Sequence, residues 1–125
     1  QNKKAGLIST IDIKYGKYVI KSEHTTPDII TINYFLYKML EKNIKYCFME
    51  VSSHGISQGR IDGLHFSGAV FTNLTHDHLD YHKSFKNYRN TKKLFFDRLS
   101  KSAFSLVNKD DKNSSFMLQN TSSKS

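Results

Sequence analysis

Three histidines and two aspartates lie within ten residues, between Asn73 and His82. Imidazole and carboxylate groups bind divalent cations and relay protons. Side chains two residues apart on an extended segment point the same way, so His76, His78 and Asp80 could converge on one centre. The cluster therefore predicts a metal site or a proton relay, although polar side chains also crowd ordinary surface loops.

The same cluster is similar to His-x-His-x-Asp-His, the zinc motif of the metallo-β-lactamase-like hydrolases. The order in this chain is His76, His78, Asp80 and His82, with Tyr81 inserted before the last histidine. The insertion turns the final imidazole onto a different face of any regular backbone, away from the metal that its counterpart binds. Because of this insertion, a metal-dependent hydrolase using these four residues stays only as an alternative function.

The length and the single cysteine limit the class of protein. A chain of 125 residues makes one domain with a core of its own. Cys47 excludes an internal disulfide and fits a reducing cytoplasm, and we expect it to be a small buried hydrophobic residue. No apolar stretch approaches the roughly 20 residues of a membrane span. The chain lacks a signal-peptide core, which predicts a cytoplasmic protein without a membrane partner. It also lacks an initiator Met, which predicts a fragment cut at both ends.

The formal charge of +8 raises a second alternative, a basic nucleic-acid-binding module. Of the 19 basic residues, 16 are Lys and three are Arg, whereas base recognition relies on the planar guanidinium group. The lysines are spread along the chain and form no basic arm. We therefore expect no nucleic-acid partner, although a positive surface favours polyanionic substrates such as nucleotides and sugar diphosphates.

Apolar runs and turn residues predict alternating strands and helices. Thr26 is the predicted N-cap of a first helix with Pro27 in its first turn, and Ser84 is the predicted cap of a second. The first helix should bury a stripe made of Ile29, Ile32, Leu36, Met39 and Leu40. The polar end of the chain predicts a weak helix and a frayed terminus. Strands are predicted over residues 6–13, 17–21, 45–51, 69–72 and 103–107. Tyr15-Gly16 separates the first two, which predicts either a hairpin or two edge strands.

This order of elements predicts an α/β fold, with a mostly parallel sheet and crossover helices. In such sheets ligands bind at the carboxyl ends of the strands. The two most polar loops, residues 50–60 and 73–82, each follow a predicted strand. Both loops should therefore open on one edge and contribute to a single site.

Four motifs occur in order along the chain and carry a resemblance to a known family. They are Thr25-Thr26-Pro27, then Met49-Glu50-Val51-Ser52-Ser53-His54-Gly55 with Gln58 and Arg60, then Phe71-Thr72-Asn73-Leu74-Thr75-x-Asp77-His78-Leu79-Asp80-Tyr81-His82, then Tyr88 with Lys92-x-Leu94-Phe95. Over residues 6–111 the chain resembles the central ATP-binding domain of the Mur ligases. The Glu-Val-Ser-Ser-His-Gly motif favours the branch that adds the third amino acid of the peptidoglycan stem.

The resemblance implies an ATP-dependent, amide-forming ligase that acts through an acyl phosphate. Its partners would be UDP-N-acetylmuramoyl-L-alanyl-D-glutamate, ATP and an amino acid, either meso-diaminopimelate or L-lysine, and the complete protein would be a monomer. Glu50, His78 and Lys92 correspond to catalytic residues and ligands of Mg²⁺, with Lys92 carried as a carbamate. The substrate-binding residues implied are Thr25, Thr26, Ser52, Gln58 and Arg60.

Two candidate residues also carry predictions of their own. Glu50 ends an apolar strand, where an unpaired carboxylate is costly, so a cation or a donor is expected beside it. Lys92 without the resemblance would be an ordinary solvated lysine. Ser53 and His54 either shape their loop or contact a ligand.

Residues 1–125 contain no Gly-x-x-Gly-Lys-Thr phosphate loop. The resemblance places that loop just upstream of Gln1, and it places an N-terminal and a C-terminal domain outside the chain. We therefore expect residues 1–125 to be part of a central domain that is inactive by itself.

Overall fold

The structure is a computed structural model that describes residues 4–75 and 79–125. His76, Asp77 and His78 of the predicted cluster lie outside the described residues. The chain divides into two compact units, Gln1–Asp62 and Gly63–Ser125. Within the described ranges, no helix is long and apolar enough to cross a membrane.

The first unit contains a four-stranded sheet with strand order β3-β2-β1-β4. β1 pairs with β4 in parallel, whereas β1 with β2 and β2 with β3 are antiparallel. The helix α1 connects the hairpin to β4, and the short helix α2 follows β4. The elements are β1 Ala5–Ile8, β2 Asp12–Tyr15, β3 Tyr18–Lys21, α1 Ile29–Glu41, β4 Tyr46–Met49 and α2 Ser53–Ser57.

The hairpin of β2 and β3 forms where the sequence predicts it. Tyr15 lies opposite Tyr18, and Gly16 in the two-residue turn has φ +59°. Tight hairpin turns need positive φ at this position, which glycine adopts without strain. The predicted strand over residues 6–13 is wrong in one respect, because a turn at residues 9–11 divides it between β1 and β2.

The N-cap of α1 lies two residues later than predicted. Oδ1 of Asp28 accepts from the N–H groups of Ile30 and Thr31, each at 3.0 Å, so Asp28 and not Thr26 is the N-cap. The predicted apolar stripe is wrong at Leu40, which is 70% exposed. One residue on a helix turns through about 100°, so Leu40 cannot share the face of buried Met39.

The strand β4 is exposed in this chain, contrary to the prediction of a buried strand. Tyr46 and Phe48 are 48% and 66% exposed. Cys47 is exposed too, so its predicted burial is wrong. Nearby protein atoms nevertheless desolvate the thiol and raise the pKa of Cys47 to about 11. A thiol that stays protonated at neutral pH is a poor nucleophile.

The second unit contains two parallel strands joined through helices. β5 pairs with β6 in a register that places Gly68 opposite Phe104. The helix α4 is capped as predicted, since Oγ of Ser84 accepts from the N–H of Asn87 at 3.2 Å. The elements are β5 Gly68–Phe71, α3 Leu79–His82, α4 Phe85–Asp97, β6 Phe104–Val107 and α5 Ser114–Leu118.

One apolar core holds the second unit together, and the chain end packs beside it. The core consists of Ala69, Phe71, Leu74, Tyr88, Phe96, Leu99, Ala103 and Met117. The N–H of Ser105 donates to the carbonyl of Lys124 at 2.7 Å, and the N–H of Lys124 donates to the carbonyl of Ala103 at 3.0 Å. The predicted helix near the end is present as α5. The predicted fraying is wrong, because the final residues bond to β6.

Candidate functional site

Glu50 directly follows β4, and its N–H donates to the carbonyl of Ile8 at 2.9 Å. Its side chain is exposed, so the cost of burial is not the reason for a partner. A donor is nevertheless present, because Oε2 of Glu50 accepts from the N–H of Thr10 at 2.6 Å and from the Thr10 hydroxyl at 2.7 Å. Within the described residues no group donates to Oε1. That oxygen is a suitable hard ligand for a cation such as Mg²⁺.

Thr26 joins the segment after β3 to the segment after β4. Its side chain is fully buried, and its hydroxyl donates to the carbonyl of Glu50 at 3.0 Å. The same oxygen accepts from the N–H of Ser52 at 2.9 Å. Since the hydroxyl is engaged by the backbone, Thr26 acts here as a structural link. A direct contact between Thr26 and substrate stays a prediction.

The helix α2 packs tightly against Thr26. Oγ of Ser52 accepts from the N–H of Gly55 at 3.0 Å and caps the helix, so part of the predicted loop is helical. A Cβ added to Gly55 would lie 2.7 Å from Cβ of Thr26, so only glycine allows this approach. Ser53 is 2% exposed, and its Oγ has no hydrogen-bond partner within the described residues. The close packing holds Ser52 beside Thr26.

Arg60 is half-buried and held in place by two neighbours. One terminal nitrogen donates to the carbonyl of Thr26 at 2.7 Å, and the other donates to Oε1 of Gln58 at 2.6 Å. These bonds occupy two of the five N–H groups of the guanidinium. The remaining N–H groups can serve an anionic ligand, for which the planar fork is suited.

Six of the eight predicted site residues lie in the first unit, and hydrogen bonds connect them. Thr25 joins this network through Thr10, since the two hydroxyl oxygens lie 3.0 Å apart. The six are Thr25, Thr26, Glu50, Ser52, Gln58 and Arg60.

Lys92, the seventh, lies on α4 in the second unit and is half-buried. Its Nζ is 5.9 Å from the ring centroid of Tyr88, one helical turn earlier. Burial lowers the pKa of Lys92, because a low-dielectric environment disfavours the ammonium form. Lys92 therefore differs from the solvated lysine that its neighbourhood in the sequence predicts. Lys92 and Glu50 lie in different units. That the two side chains share one metal site stays a prediction.

His78, the eighth, lies outside the described residues, as does His76 of the hydrolase alternative. The other two members of that alternative lie on α3. Asp80 is exposed, whereas His82 is buried, with its ring stacked on Tyr88 at a centroid distance of 5.2 Å. Across residues 4–75 and 79–125, no group of three or more His, Cys, Asp or Glu side chains is arranged to hold a metal ion.

Two groups of supporting residues were missed by the sequence analysis. Thr10 lies in the turn that divides the predicted strand over residues 6–13. Asp111 accepts from the N–H of Leu74 at 2.9 Å, and Asn108 donates to the carbonyl of Thr72 at 3.0 Å. The polar run at residues 108–111 was the available signal, but its partners lie more than 30 positions earlier.

Comparison with known proteins identifies the family. Residues 1–125 match the sequence profile of the Mur ligase middle domain, and the chain belongs to this family. The predicted family and the α/β fold class are thereby confirmed.

Particular relatives share one name, UDP-N-acetylmuramoyl-L-alanyl-D-glutamate--2,6-diaminopimelate ligase. The chain is 58% identical over 121 residues to the protein of that name from Bacteroides thetaiotaomicron, and 57% identical to the one from Bacteroides fragilis. Each match covers 97% of the chain and 25% of the relative. A solved structure titled as the same ligase has a TM-score of 0.83 and 27% identity, over 96% of this chain and 24% of that one. The chain therefore spans about a quarter of the length of these relatives.

Proposed function

We propose that the chain is part of an ATP-dependent ligase of peptidoglycan precursor synthesis that joins 2,6-diaminopimelate to UDP-N-acetylmuramoyl-L-alanyl-D-glutamate. The observation that carries the proposal is the identity of 57–58% to two ligases of that name. The same names favour diaminopimelate over lysine. Because its substrates would be ATP and a UDP-linked precursor, we expect the reaction to take place in the cytoplasm.

The activity belongs to the complete ligase, because the chain spans only about a quarter of its relatives. We place residues 1–125 in its central domain. The phosphate loop, the domain that holds the uridine end and the domain that selects the amino acid belong to the other three quarters.

The polar network of the first unit would bind the UDP-muramoyl dipeptide. Arg60 would pair with an anionic group of this substrate, since Gln58 and the Thr26 carbonyl already fix the plane of its guanidinium. Thr25 and Ser52 would contribute hydroxyl groups to the substrate. A site held in place before binding loses less entropy when the substrate arrives.

Glu50, His78 and Lys92 would hold Mg²⁺. The donors fit this ion, since Oε1 of Glu50 is a hard oxygen ligand and the desolvated Lys92 amine is suited to become a carbamate. An uncharged amine adds to carbon dioxide and releases one proton, and the product carries a carboxylate-like anion. Bound Mg²⁺ would neutralise negative charge on the ATP phosphates.

In the reaction the D-glutamate carboxylate of the substrate attacks the γ-phosphorus of ATP, which yields an acyl phosphate and ADP. The amine of the incoming amino acid then attacks the acyl carbon, phosphate leaves and the amide forms. Residues of the first unit would orient the substrate during both steps, and such positioning supplies much of the rate enhancement in phosphoryl transfer.

The test uses the complete ligase with UDP-N-acetylmuramoyl-L-alanyl-D-glutamate, ATP and Mg²⁺. We expect stoichiometric ADP, phosphate and UDP-tripeptide with diaminopimelate, and little product with L-lysine. Preference for L-lysine would overturn the choice of amino acid alone. ATP hydrolysis without amide formation on either amino acid would overturn the proposed function.

A further inference from the structure

Thr10 holds one oxygen of Glu50 with two donors from a single residue. Its N–H and its hydroxyl both reach Oε2, at 2.6 Å and 2.7 Å. Thr10 is itself fixed in the turn after β1, where the N–H and the hydroxyl of Ser9 both donate to the carbonyl of Asp12, at 3.1 Å and 2.8 Å. A glutamate side chain has several rotatable bonds, so two donors on one oxygen restrict its orientation strongly.

The Thr10 hydroxyl contacts both Glu50 and Thr25. Oγ1 of Thr10 lies 2.7 Å from Oε2 of Glu50 and 3.0 Å from Oγ1 of Thr25. A hydroxyl has one hydrogen, and an ionised carboxylate can only accept. The Thr10 hydroxyl therefore donates to Glu50, and the same hydroxyl lies within hydrogen-bond distance of the Thr25 hydroxyl. One hydroxyl thus connects Thr25 to Glu50.

We propose that Thr10 is the positioning residue of Glu50, which it orients so that Oε1 faces the cation, and that it links Thr25 to the same carboxylate. The proposal rests on the proposed function, in which Glu50 is a metal ligand and Thr25 a substrate contact. Groups that hydrogen-bond to a metal ligand commonly change metal affinity about 10- to 100-fold when removed.

The test measures Mn²⁺ binding to the complete ligase by electron paramagnetic resonance, with a non-hydrolysable ATP analogue present. Thr10→Val removes the hydroxyl, keeps the shape and keeps the backbone N–H. We expect it to weaken Mn²⁺ binding about tenfold, the lower end of that range, because the N–H still holds Oε2. Thr10→Ser keeps the hydroxyl and should bind Mn²⁺ within about twofold of the wild type, on the same scale of effects.

Thr31→Val is a matched control. The Thr31 hydroxyl also donates to a carboxylate, Oδ2 of Asp28 at 2.6 Å, but this pair caps α1. The control should leave Mn²⁺ affinity unchanged even if it lowers the melting temperature. Equal weakening in Thr31→Val and Thr10→Val would overturn the proposal, because it would show a general loss of structure.

The link to Thr25 is tested by a double variant. Thr25→Val should weaken Mn²⁺ binding less than Thr10→Val, and the Thr10→Val/Thr25→Val variant should bind Mn²⁺ no more weakly than Thr10→Val alone. Such non-additivity is expected when one residue acts only through another. Additive losses would overturn the link.

Glu50→Gln separates this proposal from the proposed function. If Glu50→Gln weakens Mn²⁺ binding and Thr10→Val does not, Thr10 is not a positioning residue, while the ligase assignment stands. If Glu50→Gln binds Mn²⁺ like the wild type, Glu50 is not a ligand, and both this proposal and that metal assignment are overturned.

Discussion

The two units hold their candidate residues by different physical means. In the first unit, hydrogen bonds between residues 24 to 40 positions apart connect Thr10, Thr26, Glu50, Ser52 and Arg60. In the second unit, Lys92 lies against the Tyr88 ring, and burial lowers its pKa. Hydrogen bonds fix the orientation of a side chain, whereas burial lowers the pKa of an amine and so favours its uncharged form. Under the proposed function, the first unit would orient ligands and the second would prepare a reactive amine.

The largest expected effect comes from removing the Lys92 amine. In the complete ligase, Lys92→Ala should lower kcat/KM by at least about 100-fold, because it removes a proposed metal ligand. Lys92→Arg should be equally inactive, since a guanidinium keeps the charge but cannot form the carbamate. Acetate should restore part of the activity of Lys92→Ala by supplying a carboxylate oxygen. Full activity in Lys92→Arg would show that a positive charge is sufficient.

Lys93 provides the control for this prediction. Its Nζ lies 2.5 Å from Oδ1 of Asp97 and also donates to the carbonyl of Gln119, so it is an ion-paired lysine next to a desolvated one. Lys93→Ala should keep most of the ligase activity. Comparable losses of ligase activity in Lys92→Ala and Lys93→Ala would show that Lys92 has no special role.

A smaller effect is expected from Arg60→Ala in the first unit. Loss of a charge-assisted contact costs about 1.5–3 kcal/mol, which corresponds to an increase of roughly 10- to 150-fold in KM for the UDP-linked substrate. KM for ATP should hardly change. Arg98→Ala, in the second unit, should leave both constants unchanged. If Arg60→Ala raised both constants equally, Arg60 would support the fold or the metal site instead.

The smallest effect is expected from Gly55→Ala, which tests the tight packing of the first unit. The added methyl would meet Thr26 at 2.7 Å, and overpacking costs about 1–3 kcal/mol. Alanine is favoured over glycine within a helix by up to about 1 kcal/mol, so a net loss of up to about 2 kcal/mol remains. The apparent melting temperature of the complete ligase should fall. An unchanged value for Gly55→Ala would show that the packing relaxes easily.

Local signals in the sequence predicted local structure well. Gly16 marked the hairpin, and Ser84 marked the start of α4, because turns and caps depend on a few neighbouring residues. Thr26 was misassigned as a cap, since Asp28 lies two positions later and the Thr26 hydroxyl bonds to distant backbone.

Long-range contacts explain what the sequence did not predict. The bonds from Thr10 to Glu50 and from Leu74 to Asp111 join residues 40 and 37 positions apart, and no local pattern predicts such pairs. Exposure of β4 was also unpredictable, because an apolar run shows that a strand can be covered but not whether the covering residues lie within the same 125 positions. The site residues themselves came from the family motifs.

The hydrogen bond between Leu74 and Asp111 has a consequence for the order in which the protein is made. A chain synthesised from its N-terminus exposes Arg60 long before Asp111, so the polar network of the first unit can close while the second unit is still incomplete. The segment that begins at Leu74 is anchored only after Asp111 has been synthesised. Closing a loop of this length carries an entropic cost that β6 must offset. The network that joins Thr10, Thr26 and Glu50 is therefore expected to form before the segment that begins at Leu74 is anchored.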